Sequence, residues 1–426
     1  MKILELEKLF SYLFSSLGII LQIPTWGIFL YFISISFAGW FRRKEPAVND
    51  FPFTQRFALI VPSHNEENVV GKIVSNLKSM QYPAHLYDIY VIADNCTDST
   101  ASVARQLGAL VMERIDHVKK GKGHSLEWMF NRLFQMETEY DAVCIFDADN
   151  LVSANFLAEM NKHLSMGHRV VQGYLDSKNP NDSWVSANNS IAFWIGNRMF
   201  QLPRYYLGLS CVLGGTGMMI ATDVLKQIGW GATCLTEDLE FTIKLVLRGM
   251  KVYWSHEAVI YDEKPLTMQQ SVHQRVRWMQ GQADCIVRYI KPLFLQAVQK
   301  NDMTALDLSI YLMQPVIVVA NFTFLVMGLF FAVLNSGSVT SMGSGIPTAL
   351  FFSLLYINVV FLILEKRYSL KTLAFFLTFP LYNLTWVPIV IKGLRDRNRK
   401  EWSHTLHVRI LDISEIQQSN RPEVSA

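Results

Sequence analysis

Ala142-Val143-Cys144-Ile145-Phe146-Asp147-Ala148-Asp149-Asn150 is the stretch on which the reading of this chain turns. It begins with apolar residues that do not alternate with polar ones, the pattern of a strand buried on both faces in a parallel sheet. Two carboxylates stand where that strand ends. A carboxylate there loses hydration unless it meets a ligand or a metal. At an i, i+2 spacing two of them can share one hard divalent cation, which completes its shell with water and phosphate oxygens. That pattern implies a metal holding a nucleotide diphosphate. The alternative is a solvated turn, because Asp149-Asn150 is good turn chemistry.

The same form recurs upstream, where Tyr90-Val91-Ile92-Ala93 runs into Asp94. Short β-rich runs at Phe57 to Val61, Ile89 to Ala93, Leu110 to Met112 and Val143 to Phe146 alternate with amphipathic stretches such as Asn68 to Met80. This alternation predicts βαβ units on a largely parallel sheet, an α/β domain. Ligands in such sheets bind at the carboxyl ends of the strands. Downstream, Thr236-Glu237-Asp238 precedes the helical run Leu239 to Leu247. Thr236 can cap that helix, and its dipole favours acids in the first turn, so capping competes with catalysis as the reason for the triplet. In Gln274-Arg275-Val276-Arg277-Trp278 the residues Gln274, Arg277 and Trp278 share a helical face. They offer hydrogen bonds, phosphate pairing and a stacking surface for a sugar ring. The competing reading is an interfacial helix whose arginine and tryptophan snorkel.

The 426 residues are 50% hydrophobic and 18% charged, with a mean hydropathy of +0.19 and a formal charge of +3. Soluble chains carry about a quarter charged residues, so the average implies one soluble part and one part in lipid. The near-neutral balance gives no support to nucleic acid as a partner. Cys96, Cys144, Cys211, Cys234 and Cys285 stand singly with no CxxC pair. Neither a disulfide framework nor a zinc site is indicated, and a reducing compartment is expected.

Leu9 to Phe41 carries no charge and closes on Arg42, Arg43 and Lys44. It exceeds the roughly 20 residues of one span and reads as a retained anchor, either divided at Pro24 or made of an interfacial helix and one span from about Trp26 to Phe41. The basic cluster puts its C-terminal end in the cytoplasm. Leu308 to Leu364 accommodates two spans joined at Asn335 to Pro347. Thr372 to Ile391, interrupted by Pro380 and Pro388, is a third hydrophobic segment, followed by Lys392, Arg395, Arg397, Arg399 and Lys400. Three spans put this basic tail outside and the positive-inside rule puts it inside. Either the third segment is re-entrant or another does not cross, and the tail decides for the inside. The expected division is a membrane anchor at 1–50, a cytoplasmic α/β domain at 51–290, an interfacial helix at 291–307, a transmembrane region at 308–392 and a basic cytoplasmic tail at 393–426. The whole is expected to be a multi-pass protein of the plasma membrane.

The order Pro62-Ser63-His64-Asn65-Glu66, Asp94, Gly121-Lys122, Asp147-Ala148-Asp149, Gly215-Thr216-Gly217, Thr236-Glu237-Asp238 and Gln274-Arg275-Val276-Arg277-Trp278 resembles that of the membrane-bound family 2 glycosyltransferases, the group of cellulose, hyaluronan and poly-N-acetylglucosamine synthases. The resemblance implies a GT-A-like, Rossmann-related domain flanked by transmembrane helices, and a nucleotide-sugar donor, UDP-linked. On the matching positions it implies that Glu66 and Asp94 contact the base and ribose, with Ser63 and His64 lining the same pocket. Lys122 would meet phosphate or ribose, and Asp147 and Asp149 would bind the sugar nucleotide with its Mg²⁺ or Mn²⁺. Asp238 would be the general base. Glu237, Gln274, Arg277 and Trp278 would hold the diphosphate and the acceptor. One base opposite one metal implies inversion, hence a β linkage from an α-linked donor. This chain departs from the family at His64, where a tyrosine is usual, after Lys122, where Gly123-His124-Ser125 replaces Ala-Leu-Asn, and at Gly214-Gly215-Thr216, where a Cys-Gly-Thr form is usual. No catalytic acid is lost.

The Gln274, Arg277 and Trp278 motif beside several spans favours repeated addition to a growing polysaccharide and its export, with membrane lipids and accessory export subunits among the expected partners. Two alternatives stand beside it. One is transfer of a single sugar to a lipid acceptor, as in ceramide glucosyltransferases, and the other is a non-catalytic membrane scaffold.

Overall fold

The computed structural model describes residues 26–231, 233–334, 364, 370–399, 411–413 and 415–416. The first part of the expected anchor, the turn at 335–347, most of the second span expected before residue 364 and the end of the basic tail lie outside the described residues.

The four apolar runs form β1 (Phe57–Ser63), β2 (Tyr87–Asp94), β3 (Leu110–Arg114) and β4 (Ala142–Ile145). Four more strands complete the sheet: β5 (Leu151–Val152), β6 (Val170–Ser177), β7 (Met218–Ala221) and β8 (Tyr253–Asp262). Their spatial order is β3-β2-β1-β4-β7-β6-β8-β5. The first four are mutually parallel, and β6 is parallel to β8. β7 runs antiparallel to both β4 and β6, and β5 antiparallel to β8. It follows that β4 and β6 point the same way, so every strand except β5 and β7 finishes at one edge. Phe57 to Val61 and Ala142 to Ile145 are completely buried, which is why these strands read as unbroken apolar runs.

A short apolar helix, α1 (Trp26–Gly39), precedes the sheet. The connections are filled by α2 (Val70–Lys78), α3 (Thr100–Gln106), α4 (Lys122–Leu133), α5 (Phe156–Ser165), α6 (Trp184–Gly196), α7 (Leu202–Tyr206), α8 (Thr222–Ile228) and α9 (Glu237–Leu247). After β8 come two long helices, α10 (Met268–Gln299) and α11 (Met303–Leu334). α10 is continuous across the boundary expected at residue 290, so the stretch from 291 is not a separate interfacial helix. Pro292 lies inside it. An interior proline costs about 3 kcal/mol, but Leu293 and Ala297 beyond it are buried against Ile243 and Val246 of α9 and Leu308 and Leu312 of α11. That burial offsets the lost backbone bond.

From Met303 to Thr323, α11 is long and apolar enough to cross a membrane, and no other helix among the described residues is. The third hydrophobic segment, expected at 372–391, is not one crossing helix. It forms α12 (Leu370–Phe376), α13 (Phe379–Leu384) and α14 (Trp386–Arg395), each shorter than a span requires. Pro380 opens α13 and Pro388 lies in the first turn of α14, where a backbone N–H is not needed. All three pack on the sheet domain. Phe379 joins its core, Asn188 Nδ2 donates to Thr378 Oγ1 at 2.7 Å, and Val276 and Met279 of α10 meet Ile389 and Val390 of α14. The segment therefore packs beside the domain rather than running as one long helix.

A buried ion pair joins three parts of the chain. Arg204 of α7 donates from Nε and Nη2 to the two oxygens of Asp307 at the start of α11, at 2.7 and 3.0 Å. Tyr31 of α1 donates to the same carboxylate at 3.0 Å.

Candidate active site

The common strand direction collects the strand ends at one edge of the sheet. Ser63 closes β1, Asp94 closes β2, Asp147 and Asp149 follow β4, and Asp262 closes β8. With His64, Glu66, Lys122, Glu237, Asp238, Gln274, Arg277 and Trp278 they line one cavity of about 340 Å³. Each residue to which the sequence reading gave a site role is among the residues lining this cleft.

At one end of it, Asp94 is buried and accepts from Arg114 Nη1 at 2.6 Å and from Asn95 Nδ2 at 3.0 Å. His64 Nδ1 donates to the Asp94 carbonyl at 2.7 Å. Burial pushes the Asp94 carboxyl above the usual carboxylate range, and Arg114 offsets part of this. Arg114 was not among the residues read from the sequence. It pairs with Asp94 across the β2–β3 ladder.

In the middle, the backbone N–H of Asp147 donates to Asn150 Oδ1 at 3.3 Å and to Thr216 Oγ1 at 3.1 Å, and Asn150 N–H returns to the Asp147 carbonyl at 3.0 Å. The expected turn is present, and it is what aims the acids. The Lys122 ammonium, on the first residue of α4, donates to Asp147 and to the Gly215 carbonyl, the latter at 2.7 Å. Asp149 accepts from Asn150 Nδ2 at 3.1 Å and from Glu263 N–H at 3.2 Å. Behind it, Lys264 pairs with Asp262 at 2.7 Å and stands over the Phe193 ring at 3.2 Å. Asp262, Glu263, Lys264 and Phe193 escaped the sequence reading, although Asp262 ends a strand just as Asp94 does. The donors at this point are carboxylate oxygens, and Asp147 is 38% exposed to the cleft. The set fits Mg²⁺ or Mn²⁺. Glu45, Glu159 and His163 also bring donor atoms within 4.8 Å of one another, but the Lys162 ammonium lies 2.6 Å from Glu159 and 3.2 Å from Glu45 and balances their charge.

On the far wall Glu237 and Asp238 open α9. Thr236 makes no side-chain cap there. Asp238 Oδ1 accepts from Leu239 N–H at 2.8 Å. Burial, then the neighbouring Asp238, pushes Glu237 up to about 7, and burial raises Asp238 as well. Burial opposes the charge of Lys122, yet Asp147, Glu237 and Asp238 hold its pKa above the usual lysine value. α10 backs this turn at Gly281, where a Cβ would lie 2.4 Å from Thr236 Oγ1 and 2.8 Å from its backbone nitrogen. Gln274, Arg277 and Trp278 line the cleft from α10, with Trp278 edge-on to Phe193 at 6.2 Å. Arg275 points the other way, between the rings of Tyr382 and Trp386 at 4.4 and 5.0 Å. The Cys234 and Cys285 thiols, far apart in sequence, stand 3.7 Å apart beside the acidic turn.

The model of the family described as glycosyltransferase like family 2 matches residues 54–281. A beta-monoglucosyldiacylglycerol synthase of Synechocystis sp. is 30% identical over 241 residues, 54% of this chain and 48% of that protein. A poly-beta-1,6-N-acetyl-D-glucosamine synthase of Staphylococcus aureus is 23% identical over 257 residues, 58% of this chain and 59% of that protein. The chain spans about half the length of the curated relatives it matches. Among solved structures, a mannosyltransferase from Pyrobaculum calidifontis in complex with GDP-Man and Mn²⁺ is similar with a TM-score of 0.57 at 16% identity, over 90% of this chain and 99% of that one. That likeness is one of fold.

Proposed function

Because the chain belongs to glycosyltransferase family 2, we propose that it is an inverting, metal-dependent enzyme that uses a nucleotide sugar and moves the sugar from UDP to an acceptor hydroxyl at the membrane. The observation that carries this reading is the meeting of Asp147, Asp149, Asp238 and Arg277 in one cleft. Displacing a nucleoside diphosphate from an anomeric carbon requires the leaving charge to be stabilised and the attacking hydroxyl to be deprotonated. Glu66 and Asp94, with Ser63 and His64, hold base and ribose. Lys122, Gln274 and Arg277 take the diphosphate, and Glu237 and Trp278 face the acceptor. Asp238, which burial makes a stronger base than an ordinary aspartate, takes the proton of the acceptor hydroxyl. Asp147 and Asp149 hold Mg²⁺ or Mn²⁺, which when bound neutralises charge on the diphosphate. A single base working from one face gives a β product from an α donor.

The acceptor in this reading is a growing β-linked polysaccharide, supported by the Trp278 and Phe193 rings in the cleft and by a relative named as a polymer synthase. Transfer of one sugar to a lipid is favoured by the relative at 30% identity, named as a beta-monoglucosyldiacylglycerol synthase. The sheet domain and residues 393–399 lie on the cytoplasmic side of the plasma membrane in either case, with α11 crossing it.

Membranes carrying the full chain, given Mg²⁺ or Mn²⁺ and a panel of UDP- and GDP-sugars, are expected to release nucleotide from one donor and to accumulate high-mass product. A lipid-extractable single-sugar product would transfer the acceptor to the second reading. Chelation is expected to abolish turnover and Mn²⁺ to restore it. Turnover that survives exhaustive chelation would sink the metal-dependent mechanism.

A further inference from the structure

Arg114 closes β3 with its side chain 4% exposed, and the reaction described above makes no direct use of it. Its Nη1 donates to Asp94 Oδ1 at 2.6 Å, and its Nη2 to Asp116 Oδ2 at 3.0 Å and to the Lys119 carbonyl at 2.6 Å. Its buried Nε has no hydrogen-bond partner. The guanidinium is thus fixed from two sides, by a strand end and by the loop that leads into Lys122. Asp94 Oδ1 accepts a second bond, from Asn95 Nδ2 at 3.0 Å. Asn95 is itself pinned: its φ is 52°, its Oδ1 accepts from Asp116 N–H at 2.9 Å, and its Nδ2 also reaches the Asp116 carbonyl at 3.2 Å. Two donors therefore converge on one oxygen of Asp94. Among the described residues no donor reaches the other, Oδ2, and Asp94 lines the cleft.

Nucleobases differ in what they offer a carboxylate. Guanine presents N1–H and N2–H side by side, and a carboxylate meets both only with both oxygens free. The imide of uracil or thymine presents one N–H between two carbonyls. We propose that Arg114 is a positioning residue and that, with Asn95, it sets the nucleobase preference of the donor site. By occupying Oδ1 it leaves Asp94 a single acceptor, which suits an imide base and disfavours guanine. The inference rests on the reading of Asp94 as a base contact. Through the Lys119 carbonyl the same side chain holds the approach to Lys122, so one guanidinium sets both the base end and the phosphate end of the nucleotide site.

The test is calorimetric titration of the detergent-solubilised full chain, with Mn²⁺ present, using UDP and GDP as probes. UDP is expected to bind at least about tenfold more tightly than GDP, the discrimination that one matched and one stranded hydrogen bond to a charged group provides. In Arg114→Gln the UDP-to-GDP ratio is expected to fall to about threefold or less, and KM for the sugar donor to rise about tenfold while kcat changes less than about twofold. Arg114→Lys, which keeps one charged donor, is expected to recover part of the ratio. Melting temperatures without nucleotide report folding. If Arg114→Gln does not fold, Asn95→Ala removes the second donor to Oδ1 and is expected to narrow the same ratio. A wild-type chain that prefers GDP, or a folded variant with an unchanged ratio, overturns the inference and leaves the nucleotide-sugar reading standing. A wild-type chain that binds neither probe overturns both.

Discussion

Glu237 and Asp238 are neighbours at the start of one helix, and burying one carboxyl beside the other governs their behaviour. Glu237 loses its proton at about 7 and Asp238 is also raised, so the pair deprotonates above the usual carboxylate range and its apparent constants belong to both groups. A base works only when deprotonated. Burial raises Asp238, so turnover is expected to fall along an acid limb that lies above the usual aspartate range; the pH profile of kcat/KM reads it. Stability follows the same shift with its own sign. The folded value of Glu237 lies above its ordinary 4.5, so the fold favours the neutral form. That contribution is whole below 4.5 and lost as pH rises through about 7. Glu237→Gln should then raise the melting temperature near pH 8 and leave it nearly unchanged near pH 4. Asp238→Asn should lower kcat by about two to four orders of magnitude with KM for the donor little changed. Asp94, Asp147 and Asp149 are legible in the sequence because each follows an apolar run, whereas Arg114 is not, because nothing in the sequence pairs it with Asp94 until β3 docks on β2 in register.

At the scale of elements, β1, β2 and β4 read correctly because they are buried, almost unbroken apolar runs, and β8 shows why another was missed. Gly173 of β6 pairs with Ser255 and Tyr174 with Val259, so His256, Glu257 and Ala258 form an unpaired bulge within the strand. The polar residues of that bulge break the apolar pattern of Tyr253 to Asp262 and hide the acid at its end. α10 runs on past the boundary expected at 290 because composition changes there while the helix does not, and the packing of Leu293 and Ala297 carries it through Pro292. Antiparallel β7, which reverses direction between β4 and β6, left no local trace. The contact between α10 and the acidic turn is equally invisible in sequence, since it depends on Gly281 lying against Thr236. Gly281→Ala is expected to cost about 1–3 kcal/mol and, by displacing the turn that carries Asp238, to lower kcat more than it changes donor binding. Urea melts and steady-state kinetics measure the two effects, and unaltered kinetics would separate the turn from the helix behind it.

For the whole molecule, the sheet domain is tied to α1 and α11 through Arg204, Asp307 and Tyr31, with both members of the ion pair 2% exposed. Removing one partner of a buried pair leaves the other charge stranded, so Asp307→Ala is expected to destabilise the chain by about 3–5 kcal/mol, whereas the double change Arg204→Met with Asp307→Leu should recover most of it. Thermal melts in detergent distinguish these outcomes; equal loss in single and double variants would mean the pair is not what holds the helices to the domain. The clamp also gives a mechanical meaning to α10. This helix has 32 residues, about 48 Å at the usual rise. Arg277 and Trp278 stand near its first end, while its last turns are wedged against α9 and α11. Such a rod is a lever. A tilt of about two degrees about those last turns displaces Arg277, about 33 Å away, by about 1 Å, on the order of the misalignment that costs a reaction about a hundredfold. With α11 crossing the bilayer as proposed above, a bilayer thickness that shifts α11 loads this rod, and turnover measured across lipids of graded acyl length is expected to pass through an optimum.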